Sequence, residues 1–267
     1  MAISKKSGFT LIELSIVIVI IGLIVAGIVG GQKLVTQAKI RAVISEFNKY
    51  DAAASTFNLE YNAILGDMPD ASAYSLGINC SGAPYDCNGS GNDRIYWQDM
   101  NNGVAYDNHE NFIAWMHLRF ADLIEGAYTG NNNTGGPNAM LAGLNIPASA
   151  FKSSRQGGWV FNSDDRWKND IDSTIPVRNQ LIIGGHVPNQ RSYGSLFTPS
   201  QAKSIDNKMD DGRPYTGRVV GLVGYDGSAY DSNCTDGAGG DDEEYMISET
   251  IPRCIVALHL TLTKRNY

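Results

Sequence analysis

The sequence predicts an α+β protein. One long N-terminal helix, membrane-embedded in its first half and amphipathic in its second, packs on an antiparallel β-sheet in a disulfide-stapled globular head. Three observations predict this. From Phe9 to Gly31 (FTLIELSIVIVIIGLIVAGIVGG) the chain is apolar, with Glu13 its sole ionisable side chain. From Gln32 to Leu65, apolar residues recur at three- and four-residue steps with no Pro or Gly between, the period of a helix with one buried stripe. Near the other end, Cys254–Thr263 (CIVALHLTLT) alternates, the period of a half-buried strand.

The apolar run is long enough to cross a hydrocarbon core, which needs roughly 20 residues. A secretory signal would be shorter and would end in a small-residue cleavage site, and no A-x-A stands at the far end of this run, directly after Gly31. Lys5 and Lys6 precede the run, so the positive-inside rule places the opening residues in the cytoplasm and the remainder outside. A carboxylate within such a segment costs about 2.5–3.5 kcal/mol at mid-bilayer and is usually functional. Glu13 therefore needs a partner.

The order of these features (basic opening, Gly8, then Phe9 with Glu13 inside an unbroken apolar span) resembles the class III signal of type IV pilins and type II secretion pseudopilins. The resemblance implies a pilin-like fold and cleavage between Gly8 and Phe9 by a prepilin peptidase, which also N-methylates Phe9. It further implies that Glu13 pairs with the new Phe9 amine of an adjacent subunit during assembly. Removing one partner of such a buried pair costs about 3–5 kcal/mol, so the pair would select helix register. Residues 1–8 are then a cleaved leader, 9–31 a transmembrane and filament-core helix, 32–66 its amphipathic continuation, and 67–267 a periplasmic or extracellular head. Many major pilins carry a proline where this chain has Gly30 and Gly31. Glycines weaken a helix by about 1 kcal/mol each, and with Gly22 and Gly27 they also permit close helix packing. The stretch Tyr61–Asp70 (YNAILGDMPD) resembles a segment found in one subgroup of bacterial prepilin-like proteins.

Phe9 to Leu65 as one helix would span about 85 Å at 1.5 Å per residue, stopped by Gly66, Asp67 and Pro69. Residues 67–108 read as a Gly-, Asn- and Asp-rich loop region. Residues 109–126 (HENFIAWMHLRFADLIEG) read as a second amphipathic helix, with His109 and His117 at its surface or cap. Gly158–Asn162 and Gln180–Gly184 read as short strands, and Thr216–Val223 as another. Thr198, Pro199 and Gln201 form an N-cap, N1 and N3 set that starts a helix running to about Met209. The four cysteines allow three pairings. On an exported chain the local pairs Cys80–Cys87 and Cys234–Cys254 are the expected ones. The second would close a loop of about 20 residues, worth about 3 kcal/mol in the chain-entropy model.

A net charge of −7 and a pI near 5.1 leave no basic footprint for nucleic acid. No G-x-S-x-G, Walker loop, Rossmann fingerprint or zincin motif is present, so no catalytic residue is assigned and the chain reads as a non-enzyme. The loop after Asp231 offers hard oxygen ligands from Asp231, Asn233, Asp236, Asp241 and Asp242, a candidate calcium set. Its glycine falls one place late for an EF-hand. Asp206, Asp210 and Asp211 read as a helix ending and turn. The expected function is a structural subunit, pilin or minor pilin, of a type IV filament serving adhesion, motility, DNA uptake or secretion. The alternatives are a type II secretion pseudopilin and a membrane-anchored, calcium-dependent adhesin. The expected partners are other pilin-like subunits, the prepilin peptidase and an inner-membrane assembly platform. The expected location is the bacterial inner membrane with a periplasmic head, then a periplasmic pseudopilus or a surface pilus.

Overall fold

A computed structural model describes residues 8–71, 87–95, 110–128, 130, 140–163, 179–187, 192–225, 232–237 and 242–262. Helix α1 (Leu11–Tyr61) is one unbroken helix that runs straight through Gly30 and Gly31. It ends four residues before the expected stop at Leu65. Asn62 takes the left-handed conformation (φ 48°, ψ 39°), a usual way to terminate a helix. The next residues, Ala63 to Met68, fold back into the core and are all buried. Gly66 sits there at φ +81°, where a Cβ would come within 2.4 Å of the Glu110 carbonyl oxygen, so only glycine fits.

Helix α2 (Glu110–Phe120) is shorter than expected, because Asp122 enters the left-handed region at φ 55°. Strands β1 (Ala148–Lys152), β2 (Gln156–Asn162), β3 (Gln180–Gly185), β4 (Val219–Val223) and β5 (Cys254–His259) form one antiparallel sheet ordered β1-β2-β3-β5-β4. Helix α3 (Pro199–Met209) carries the expected capping box: the Thr198 side chain accepts from the Gln201 N–H, and the Gln201 side chain accepts from the Thr198 N–H.

The core lies between the second half of α1 and the sheet. Ile40, Val43, Phe47, Tyr50, Ala54 and Phe57 are its helix stripe. Trp159 and Phe161 of β2 meet it from the sheet, with Trp115 of α2 wedged between: Tyr50–Trp115 centroids lie 5.0 Å apart, Trp115–Phe161 4.3 Å and Tyr50–Trp159 5.7 Å. Strand β5 is buried on both faces rather than half-buried as its alternation predicts; even His259 is 3% exposed. Loops cover the far face of the neighbouring strands. A Cβ on Gly184 of β3 would lie 2.2 Å from the Ser192 carbonyl oxygen, so backbone packs directly on backbone. Cys234–Cys254 is a disulfide that ties this central strand to the acidic loop. Cys87 is also disulfide-bonded, while its expected partner Cys80 lies outside the described residues.

Candidate assembly site

At the start of α1, Gly8 and Phe9 are exposed and precede the helix, and Thr10 is its N-cap in extended conformation. Thr10 and Glu13 form a reciprocal capping box. The Thr10 hydroxyl accepts from the Glu13 N–H at 3.3 Å, while Glu13 Oε2 accepts from the Thr10 N–H and the Thr10 hydroxyl, each at 2.8 Å. Glu13 thus has partners within its own chain as well as the external one expected from its sequence position. The pattern T-x-x-E ahead of an apolar run is a readable capping signature. Both Thr10 donors fall on one carboxylate oxygen, so among the described residues Glu13 Oε1 keeps its lone pairs for another donor. The cap also fixes where the helix begins, leaving the Gly8–Phe9 bond in non-helical chain.

Around and beyond the cap, no described part of the head covers the helix as far as Val35: Phe9 is 90% exposed and Leu11 89%. The stretch reaches a mean hydropathy of 2.9, and among the described residues this is the one helix long and apolar enough to cross a membrane. An apolar surface of this extent is not stable in water and must be covered by lipid or by other chains.

The second half of α1 is fastened to the head by polar contacts on the flanks of its stripe. Glu46 accepts from the Ser149 hydroxyl at 2.6 Å, the Ala150 N–H at 2.7 Å and the Trp159 indole N–H at 2.9 Å. On the other flank Asp51 pairs with Arg218 at 2.6 Å, and the Arg218 guanidinium lies 5.0 Å from the Phe47 ring centroid. These contacts also close the sheet. The outward N–H of Ala150 on edge strand β1 is taken by Glu46. On edge strand β4, Val219 N–H donates to Asp210 and Gly221 N–H to the Pro214 carbonyl. Exposed edges invite strand pairing with other chains, and these groups are not available for it.

Where α1 ends, buried polar residues make a joint. His117 is neither a surface nor a cap residue, as its sequence position suggested, but fully buried. Its Nδ1 accepts from the Gly66 N–H at 3.0 Å, its Nε2 donates to the Cys87 carbonyl at 2.8 Å, and its ring stacks on Phe57. These roles require the neutral Nε2–H tautomer. Burial pushes its pKa down to about 4. His109 lies outside the described residues. The Asp67 carboxylate, also buried, collects the Ser90 hydroxyl and the N–H groups of Gly91, Asn92 and Asp93 at 2.6–3.0 Å. The segment YNAILGDMPD is therefore the hub on which α1, α2 and residues 87–93 converge.

In the acidic loop, Asp236 Oδ1 accepts from the Glu244 N–H and Glu243 Oε1 from the Gly237 N–H, so these carboxylates close the loop's own hairpin. Asn233 is half-buried and Asp242 exposed; Asp231 and Asp241 lie outside the described residues. Asp206, Asp210 and Asp211 come together at the end of α3, and each is engaged as the helix-end reading requires. Asp206 accepts from the Tyr245 hydroxyl at 2.8 Å and the Gly212 N–H at 3.0 Å. Asp210 accepts from Val219 N–H, and Asp211 from Arg213 N–H. Burial raises the Asp206 pKa from 3.8 to about 7.

His117 and Asp206 oppose each other in pH dependence. The lowered His117 value contributes stability that is present above pH 6.5 and lost as pH falls toward 4. The raised Asp206 value contributes stability that is present below pH 3.8 and lost as pH rises through 7. Asp206→Asn is therefore expected to melt higher than wild type at pH 8, and to lose stability on acidification from pH 7 to 4 more steeply than wild type. Thermal melts at stepped pH check both signs.

The prokaryotic N-terminal methylation motif matches residues 3–29. This is the prepilin signal of type IV pilins and pseudopilins, and from residue 11 on it lies in the uncovered apolar helix, ahead of an α+β head of pilin-like architecture. The motif marks structural subunits; it implies processing by a prepilin peptidase and assembly with other pilin-like subunits, and with the apolar helix it fits membrane anchoring. No curated protein and no solved structure gives a significant match.

Proposed function

We propose that this chain is a pilin or minor pilin, a structural subunit of a type IV filament. In this reading it is held in the inner membrane, cut after Gly8, N-methylated on Phe9 and extracted into a helical fibre through α1. The observation that carries the reading is the methylation motif seated on an apolar helix that the head leaves bare from Phe9 to Val35. The engaged edge groups support it: with the N–H groups of Ala150, Val219 and Gly221 taken, strand pairing at β1 and β4 is disfavoured, whereas the bare helix still needs a partner. Glu13 then has two jobs on two oxygens, capping α1 through Oε2 and receiving the Phe9 amine of a neighbouring subunit on Oε1. The alternative is a pseudopilin of a type II secretion system, which would assemble through the same helix into a shorter, periplasmic fibre.

The test is Glu13→Ala in the native host. The variant is expected in the membrane fraction but absent from sheared filaments, whereas a merely anchored binding head would tolerate the change. Wild-type incorporation of the variant would contradict the reading. Calcium at Asp231, Asn233, Asp236, Asp241 and Asp242 is a separate proposal, checked by whether calcium chloride raises the melting temperature relative to EDTA.

A further inference from the structure

Between Glu13 and Glu46 every ionisable side chain is basic: Lys33, Lys39 and Arg41. At about 100° per residue these three fan around the helix. The β1–β2 hairpin sits beside them: Lys39 Nζ lies 3.5 Å from the Lys152 carbonyl oxygen and 6.0 Å from the Phe151 ring centroid. Residues 147–163 contain no acid and add Lys152 and Arg155. Glu46, the first carboxylate reached, is occupied by Ser149, Ala150 and Trp159. Lys33, Arg41 and Lys152 are exposed. The base of the head, where α1 leaves it, thus carries a basic collar on a chain whose net charge is −7.

On a translocated head these cations run against the positive-inside bias, so orientation does not account for them. Their position does. A hydrocarbon core of about 30 Å takes up about 20 residues of helix, which places Lys33 among the headgroups. Lys39 and Lys152 then sit about one Debye length from them and Arg41 slightly farther, within reach of its long side chain. We propose that this collar docks the head onto the anionic phospholipid headgroups of the leaflet that α1 enters, holding the unassembled subunit seated on the membrane. The proposal rests on the membrane-anchored reading above. The complementarity is of charge, and it is continuous with the apolar span itself.

The test uses the full chain in nanodiscs, either neutral (phosphatidylcholine) or with about a third phosphatidylglycerol. A fluorophore on Ser154→Cys, at the exposed hairpin turn, reports quenching by nitroxide-headgroup lipid. Quenching is expected in anionic discs, with release by 0.5 M salt and little signal in neutral discs. Lys39→Gln, Arg41→Gln and Lys152→Gln should each weaken docking about fivefold, and the triple variant about a hundredfold, from about 1 kcal/mol per cation near an anionic surface. An unchanged denaturation midpoint of the triple variant shows that the head is intact. Equal quenching in neutral and anionic discs, or quenching that the triple variant keeps, overturns the proposal. So does a triple variant that docks normally yet fails to assemble, which would give the collar to a neighbouring subunit. A chain that does not enter the discs overturns the membrane reading as well, whereas insertion without docking overturns only the collar.

Discussion

Trp115→Ala is expected to destabilise the head by about 4 kcal/mol, the largest effect of any single substitution considered. Trp115 is fully buried. Its indole stands edge-on to Tyr50 of α1, packs 4.3 Å from Phe161 of β2 and lies 6.2 Å from Tyr128, so it joins both helices to the sheet. Truncation opens a cavity that these neighbours, held by their own strands and helices, fill only partly. The indole N–H has no acceptor among the described residues, so Trp115→Phe gives up packing but no hydrogen bond and should cost less than half as much. Urea denaturation followed by far-ultraviolet circular dichroism measures both; a cost under about 1.5 kcal/mol for the alanine variant would mean that the wedge closes up.

Glu46→Ala should cost about 3 kcal/mol through polar loss rather than volume. It leaves the buried Trp159 indole N–H and the Ser149 hydroxyl without their acceptor, and such orphans cost about 1–3 kcal/mol each. It also frees the edge N–H of Ala150. Glu46→Gln keeps one carbonyl oxygen but turns an amide donor toward other donors, so an intermediate loss is expected. The Trp159 indole N–H resonance should move in both variants. If it stays in place while stability falls, the loss comes from elsewhere on α1.

Much of this arrangement was legible in the sequence where the chemistry is local. Thr198, Pro199 and Gln201 announce α3 because a cap is made by residues three apart, and the hydrophobic stripe of α1 follows from its period. The Thr10–Glu13 box is equally local, but a carboxylate in an apolar run reads first as a membrane charge, which masks its capping role. Other features depend on distant chain. His117 looked like a surface or cap residue because its partners, Gly66 and Cys87, are 51 and 30 residues away. The alternation over Cys254–Thr263 finds strand β5, which ends earlier, at His259, and it assigns the polar positions to solvent, because the loops that cover the sheet's far face leave no periodic trace. Strand β1 is not legible: five residues, ASAFK, carry too little pattern, and its outer edge is completed by Glu46 from about a hundred positions earlier.

The most direct measurement is the intact mass of the protein recovered from its native cells. A chain beginning at Phe9 and carrying one added methyl group is the expected result. A chain that still contains residues 1–8 while found in filaments would contradict it, because no amine would then exist at Phe9 for Glu13 to receive.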